Sequence, residues 1–172
     1  MKHTIKELED IASQIRRDIV RMVHGCQSGH PGASLGCADF FTALYFEVLN
    51  HKTDFTMEGA GEDLFFLSNG HISPVWYSTL AHAGYFDKSE LATFRKLNSR
   101  LQGHPTTHEH LPGIRIASGS LGQGLSVAIG AALAKKLNEI ILTFLHYWVM
   151  ENYRKAKTGK QQCLHHLTRL II

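Results

Sequence analysis

Three histidines of this 172-residue chain stand in short turns built from serine, glycine and proline. They are His30 in Ser28-Gly29-His30-Pro31-Gly32, His71 in Ser68-Asn69-Gly70-His71, and His104 in Gln102-Gly103-His104-Pro105. Imidazole takes and gives protons near neutral pH, so each is a candidate for general acid–base work. A single loop histidine is ordinarily a solvated side chain. Three, each fixed by a neighbouring glycine or proline at a strand–helix junction, carry more weight, because that edge of an α/β sheet is where ligands bind. Metal ligation is the rival reading, but their spacing fits no compact zinc pattern. His108 and His110 flank Glu109 in a loop and are read as facing solvent.

A second candidate is Gly119-Ser120-Leu121-Gly122-Gln123-Gly124, between an apolar run and a segment of small residues. Glycines in such a turn let backbone N–H groups approach a phosphate at the positive end of a helix. The order matches neither the Walker loop nor the dinucleotide fingerprint. A tight turn that lets a helix pack closely explains it equally well.

The elements that must position these groups follow from periodicity. Ile5, Leu8, Ile11, Ala12, Ile15, Ile19, Met22 and Val23 recur at helical spacing, predicting a long amphipathic helix that ends near Gly25. A loop over 28–32 and a helix over 38–49 follow, and 50–61 is polar and loop-like. Asp63–Leu67 predicts a buried strand. Helices are expected over 72–83, with Pro74 in the first turn, and over 89–97. Residues 98–113 form a loop, 114–117 a strand, and 126–137 a tightly packed helix. Helices alternating with short apolar strands argue for an α/β fold with a parallel sheet.

Composition narrows the class. At 44% hydrophobic residues the chain suits a globular domain, and it has no apolar run long enough to span a membrane. Its charged N-terminus lacks a signal-peptide core, so a cytoplasmic location is expected. Cys26, Cys37 and Cys163 show no metal spacing and are read as structural thiols. Lysine and arginine number 18 against 15 acidic residues. The excess falls wholly in residues 139–172, with 5 basic and 2 acidic, while 1–138 holds 13 of each. No nucleic-acid footprint is read from that balance.

Taken together, SGHPGASLG, FFLSNGH, GHP and SGSLGQGLSVAIGAALA resemble the transketolases, in that family's order and spacing, from about Ile5 to Leu137. The wording around GHPTTHEHLPGIRIASGSLGQG is most similar to bacterial transketolases split into two subunits, this being the N-terminal one. The resemblance implies a three-layer thiamine-diphosphate-binding fold with a parallel sheet, here incomplete at the C-terminus. It implies thiamine diphosphate with Mg²⁺ or Ca²⁺ as cofactors, and transfer of a two-carbon unit from a ketose phosphate to an aldose phosphate in the pentose phosphate pathway. His30, His71 and His104 match catalytic histidines of the cofactor and substrate channel, and His71 also matches a diphosphate contact. Gly119, Ser120 and Leu121 match the loop that packs on the cofactor. The partners implied are sugar phosphates and a C-terminal, pyrimidine-binding subunit supplying an activating glutamate, the pair assembling as a homodimer. A related deoxyxylulose-phosphate synthase is the alternative enzyme; the SGHPG, SNGH and QGHP wording favours transketolase.

The resemblance stops near Asn138. The family continues into G-D-G-E and a later asparagine, whose Asp and Asn hold the metal; this chain has no such motif, so no metal ligand is assigned in it. The genetic code offers a reason. Trp148-Val149-Met150 is encoded TGG-GTN-ATG, and read from its third base gives Gly, then Asp, Asn, His or Tyr, then Gly. Glu151, Asn152 and Tyr153 then force Glu or Lys followed by Leu, so G-D-G-E-L is permitted. A frameshift near Asn138 is therefore expected, making 1–138 a partial diphosphate-binding domain and 139–172 an out-of-frame tail. Three consequences are expected: inactivity, loss of the next strand and its covering helix, and a tail without regular structure save a short strand or helix over 140–149. A third reading is a catalytically dead subunit that only associates with a transketolase C-terminal half.

Overall fold

The computed structural model describes residues 2–137 and 145–148. Helix α1 spans Ile5–Cys26 and turns Ala12, Ile15, Ile19 and Met22 inward along one stripe. Thr4 caps it: its hydroxyl accepts from the Glu7 N–H, and the Glu7 carboxylate accepts from the Thr4 N–H at 2.7 Å. The helix runs through Gly25 and is stopped by Gln27, which takes the left-handed conformation (φ 51°) and donates back to the last turn. Glu47 holds the chain ahead of α1 by accepting from the Lys2 and His3 N–H groups at 2.9 and 2.7 Å. Thr4→Ala removes one arm of the capping box and is expected to lower stability by about 1 kcal/mol, read from urea unfolding.

Helix α2 covers Pro31–Gly36, so the 28–32 loop is shorter than its composition predicts; Pro31, with its φ preset, starts the helix. Helix α3, Ala38–Ala43, continues as a π-helical turn over Leu44–Val48, matching the expected 38–49 helix. Strand β1 is Leu64–Leu67. Helix α4, Ser73–His82, is buried along nearly its whole length between α1, α2 and α3. The 89–97 helix is instead a 3₁₀ segment over Lys88–Thr93, capped by Asp87 and ended where Arg95 and Asn98 take positive φ. Helix α5 is Gln123–Leu137.

Every residue of β1 is buried, because both faces are covered. Phe65 and Leu67 point into the main core with Phe41, Tyr45, Trp76 and Leu80. Leu64 and Phe66 point the other way, against Ala128 and Ala131 of α5 and against Ile116.

Two expectations are corrected. Residues 114–117 form no strand. Ile114 packs into the main core and Ile116 against the α5 side, although two residues apart in a strand would share a face, and Arg115 between them reaches a buried carboxylate. A strand also follows α5: β2, Leu145–Trp148, lies parallel to β1 in register Leu64↔Leu145 through Leu67↔Trp148. It lies within 140–149, where a short strand or helix was expected, and by pairing with β1 it fills the place of the next strand whose loss was expected, because any chain with free N–H and C=O groups can satisfy β1's open edge. The rest of 139–172, with Cys163, lies outside the described residues. Cys26 and Cys37 are not disulfide-bonded. No described helix is long and apolar enough to cross a membrane.

Candidate functional site

The chain leaves the C-terminal end of β1 as Ser68-Asn69-Gly70 and places His71 in a 3₁₀ turn that feeds α4. Helix α4 then holds a second loop in place. The Ser73 hydroxyl donates to the Gly103 carbonyl at 2.8 Å, and the Tyr77 hydroxyl to the Gln102 carbonyl at 2.9 Å. His104 is therefore delivered by two side chains of the helix that begins beside His71. His30 stands immediately before Pro31 at the start of α2, and its carbonyl accepts from Ser34 at 3.1 Å. The outcome is a row of three imidazoles: His30 and His71 lie edge to face with ring centres 5.1 Å apart, and His71 and His104 likewise at 4.6 Å.

The glycine-rich turn closes on this row. The Ser118 N–H donates to the Pro105 carbonyl at 3.0 Å, and Gly122 N–H to the Ser68 hydroxyl at 3.3 Å. Gly119, at φ 129°, lies so near His104 that a Cβ there would stand 2.6 Å from the ring. A Cβ on Gly70 would meet the Ser118 carbonyl at 2.7 Å, and one on Gly124 the Ser68 Cα at 2.7 Å. Ser120 is exposed and Leu121 is 37% exposed, both on the open side of the turn.

Arg95 belongs to the same cluster, and no sequence signal singled it out. It falls within the helix expected over 89–97, whereas its positive φ (57°) turns it back across Gly103. Its guanidinium donates to the Ser28 hydroxyl at 2.9 Å, and its Nε is buried with no hydrogen-bond partner among the described residues. Burial lowers the pKa of His71, with His30 and Arg95 adding to the effect. Burial also lowers that of His104, followed by His71, Arg95 and His30. Both rings are thus biased toward the neutral form.

The description "Transketolase, thiamine diphosphate binding domain" belongs to the family model that matches residues 8–147. The chain belongs to this transketolase family. Among curated transketolases it is 40% identical over 131 residues to an apulose-4-phosphate transketolase subunit of Actinobacillus succinogenes, covering 76% of this chain and 47% of that one. It is 41% identical over 152 residues to the transketolase of Buchnera aphidicola, covering 88% and 23%. The crystal structure of transketolase from Campylobacter jejuni superposes with TM-score 0.71 at 35% identity, over 80% of this chain and 21% of that one. The chain thus spans under half the length of these relatives.

The transketolase family implies thiamine diphosphate, and the residues fit such an anion. Gly70 lies against the Ser118–Gly119 backbone, Gly124 against Ser68, and Gly119 against the His104 ring, with no room for side chains at any of the three. The Ser118 hydroxyl and Arg95 Nε are buried with no partner among the described residues, as donors awaiting an acceptor. A metal finds no such fit: among the described residues no three His, Cys, Asp or Glu side chains gather as ligands would. A separate cleft of about 720 Å³, faced by Asp18, Arg21, His82 and Lys88, shares no residue with the histidine row.

The depressed pKa values of His71 and His104, and of His51, which burial also lowers, have a consequence for stability. The unfolded chain binds protons at these rings more readily than the native one, so stability is full above about pH 6.5 and falls as pH drops through the native values. Urea unfolding is expected to give a smaller free energy at pH 5.5 than at pH 7.5. Equal values at both would contradict the burial of these rings.

Proposed function

We propose that this chain carries the diphosphate-side half of a transketolase-type site. The reaction is transfer of a two-carbon ketol unit from a ketose phosphate to an aldose phosphate, a step of the pentose phosphate pathway, in the cytoplasm. The observation that carries the reading is the meeting of His30, His71 and His104 on a glycine cradle, beside Arg95, at the end of a parallel strand. Bound thiamine diphosphate supplies the nucleophile and electron sink needed to break a carbon–carbon bond beside a ketone. The residues do the rest. Neutral imidazoles accept protons from sugar hydroxyls and return them to carbonyl oxygens, and the pinned loops hold those oxygens in line. Gly119, Ser120 and Leu121 form the wall on which the cofactor packs, and Arg95 offers its unpaired donor to an anion.

The covering of β1 on both faces supports a three-layer fold that further chain completes. The Actinobacillus relative is named as one subunit of its transketolase, which supports a split enzyme whose C-terminal partner joins this chain and whose pairs dimerise.

The missing G-D-G-E is read as a displaced frame. The code constraint reaches further back than Trp148. Leu145-His146-Tyr147, read from the third base of the Leu145 codon, becomes Ser, Pro, Thr or Ala followed by two forced leucines. The shifted reading is then x-Leu-Leu-Gly-(Asp/Asn/His/Tyr)-Gly, an apolar run leading into the family's metal loop, which supports a shift near Asn138. As written the chain lacks that loop, so the diphosphate lacks its counter-charge and the chain is inactive. The same lack favours the second reading, a dead subunit that only associates with a C-terminal half.

Resequencing the gene from the Ala131 codon past the stop tests this, together with calorimetry of thiamine diphosphate and Mg²⁺. One missing or extra base near Asn138, binding by the frame-restored product and none by the chain as written are expected. Binding by the chain as written would overturn its assigned inactivity. An intact frame would leave association with a C-terminal half as the reading.

A further inference from the structure

We infer that the cleft between α1 and the 3₁₀ segment over Lys88–Thr93 is a second ligand site, built for a small organic phosphate and coupled to the histidine row through the turn at Phe94-Arg95. Its volume, about 720 Å³, lies within the usual range for small-molecule sites. Helix α1 supplies one wall, where Asp18, Arg21, Met22, Gly25 and Cys26 recur at helical spacing. His82 comes from the last turn of α4, and Lys88 and Lys96 from the 3₁₀ segment and the stretch after it. Asp18 is the one acid among the described residues that line the cleft, and its charge is already met. Its two oxygens accept from Gln14 at 2.8 Å, Arg21 at 3.3 Å, Ser78 at 3.1 Å and His82 at 2.8 Å. Lys88 and Lys96 form no ion pair with a described residue. Two unpaired ammonium groups beside a satisfied carboxylate leave a positive field over the cleft, which suits a doubly charged phosphate. Met22, Leu91 and Phe94 offer apolar surface to the body that carries it.

Gly25 sets this cleft apart from a chance gap. It lies in the last turn of α1, where a residue with a side chain holds a helix better than glycine does. Its φ is not positive, and a Cβ built on it meets nothing within 4 Å. Neither backbone strain nor close packing therefore requires glycine there. What the missing side chain leaves is room in the cleft. The cleft also shares a wall with the histidine row. Phe94 lines the cleft, and the next residue, Arg95, donates to the Ser28 hydroxyl at 2.9 Å. Cys26 lines it too, and its thiol donates to the Ser28 carbonyl at 3.1 Å. A ligand in the cleft bears on both attachments of the loop that carries His30.

Titration of the full ¹⁵N-labelled chain with phenyl phosphate, followed by ¹H–¹⁵N spectra, tests this, with inorganic phosphate for comparison. Phenyl phosphate is expected to give saturable shifts at the amides of Gly25, Cys26 and Ala92, with a dissociation constant of about 1 mM or below. It is expected to bind at least about tenfold tighter than inorganic phosphate, which has no apolar body to bury. The amides of Ser28 and His30 are expected to move in step. Lys88→Gln combined with Lys96→Gln is expected to weaken binding at least about tenfold. Gly25→Leu fills the cleft and is expected to abolish binding, with a urea unfolding midpoint no lower than wild type. Shifts confined to the histidine row, none at all up to about 10 mM, or equal affinity for inorganic phosphate would overturn the site. Undiminished binding by Gly25→Leu or by the double lysine variant would do the same. Ser28 and His30 amides that stay still at saturation would overturn the coupling. No thiamine diphosphate or sugar enters the measurement, so its failure leaves the transketolase-type reading standing, and failure of that reading leaves the cleft.

Discussion

Replacing Glu62 with glutamine is expected to destabilise the fold by about 3–5 kcal/mol, the range for leaving one buried charge without its partner. The side chains of Arg115 and Glu62 are 6% and 2% exposed, and they pair directly. The other Glu62 oxygen accepts from the Lys52 N–H at 2.9 Å, and its backbone carbonyl from Lys135 at 3.1 Å. Arg115 also lies over the Phe55 ring at 4.6 Å and donates to the Thr56 carbonyl. Its Nε already lacks a partner among the described residues, so the guanidinium has no spare contacts to absorb the loss. The pair sits where the chain enters β1 and joins that entry to the 114–117 segment and to α5. Urea unfolding gives the measurement. A double replacement, Glu62→Leu with Arg115→Met, removes both charges and is expected to recover most of the stability, since apolar residues of similar volume commonly replace such pairs without loss. A loss under 1 kcal/mol for Glu62→Gln alone would show that water reaches the pair.

In the frame-restored protein with its C-terminal partner, His104→Ala is expected to lower two-carbon transfer about 10²–10⁴-fold, the contribution of a positioned acid–base group. The loop that carries His104 is held by backbone carbonyls of Gln102 and Gly103 against Tyr77 and Ser73, contacts that the substitution does not touch. The loss therefore reports the ring itself. It is expected mainly in kcat, with the unfolding free energy close to wild type, and a decrease of less than tenfold would remove His104 from the chemistry.

Much of the site was legible in the sequence because its parts are local. Each histidine sits beside the glycine or proline that shapes its turn, so three windows of five residues suffice to pick out the row. Helix α1 was legible for the same reason: its stripe of Ile15, Ile19 and Met22 repeats within the element. What the sequence did not disclose depends on residues far apart in the chain. Ile114–Ala117 has the alternation of a strand, but a strand exists only beside another, and the pattern cannot say whether one is there. Glu62 and Arg115 are 53 residues apart, and nothing local to either announces the other. Arg95 read as one more charge on a helix because nothing in Phe94-Arg95-Lys96 announces a positive φ.

The pairing of β1 with β2 has a meaning for how the chain is made. Leu64 and its partner Leu145 are 81 residues apart, the difference of their numbers. At about 5–20 residues per second, a ribosome takes roughly 4–16 s to travel between them. For that interval Leu64-Phe65-Phe66-Leu67 has left the exit tunnel with an edge that β2 will later occupy and a face that α5 has yet to cover. Such a segment is an invitation to a neighbouring nascent chain. The helices that come first, α1 to α4, bury Phe65 and Leu67 early and leave Leu64 and Phe66 as the exposed pair. Slowing translation between α4 and α5 should therefore lower the yield of native protein more than slowing it anywhere in α1, and a chaperone that shields short apolar strands should restore it.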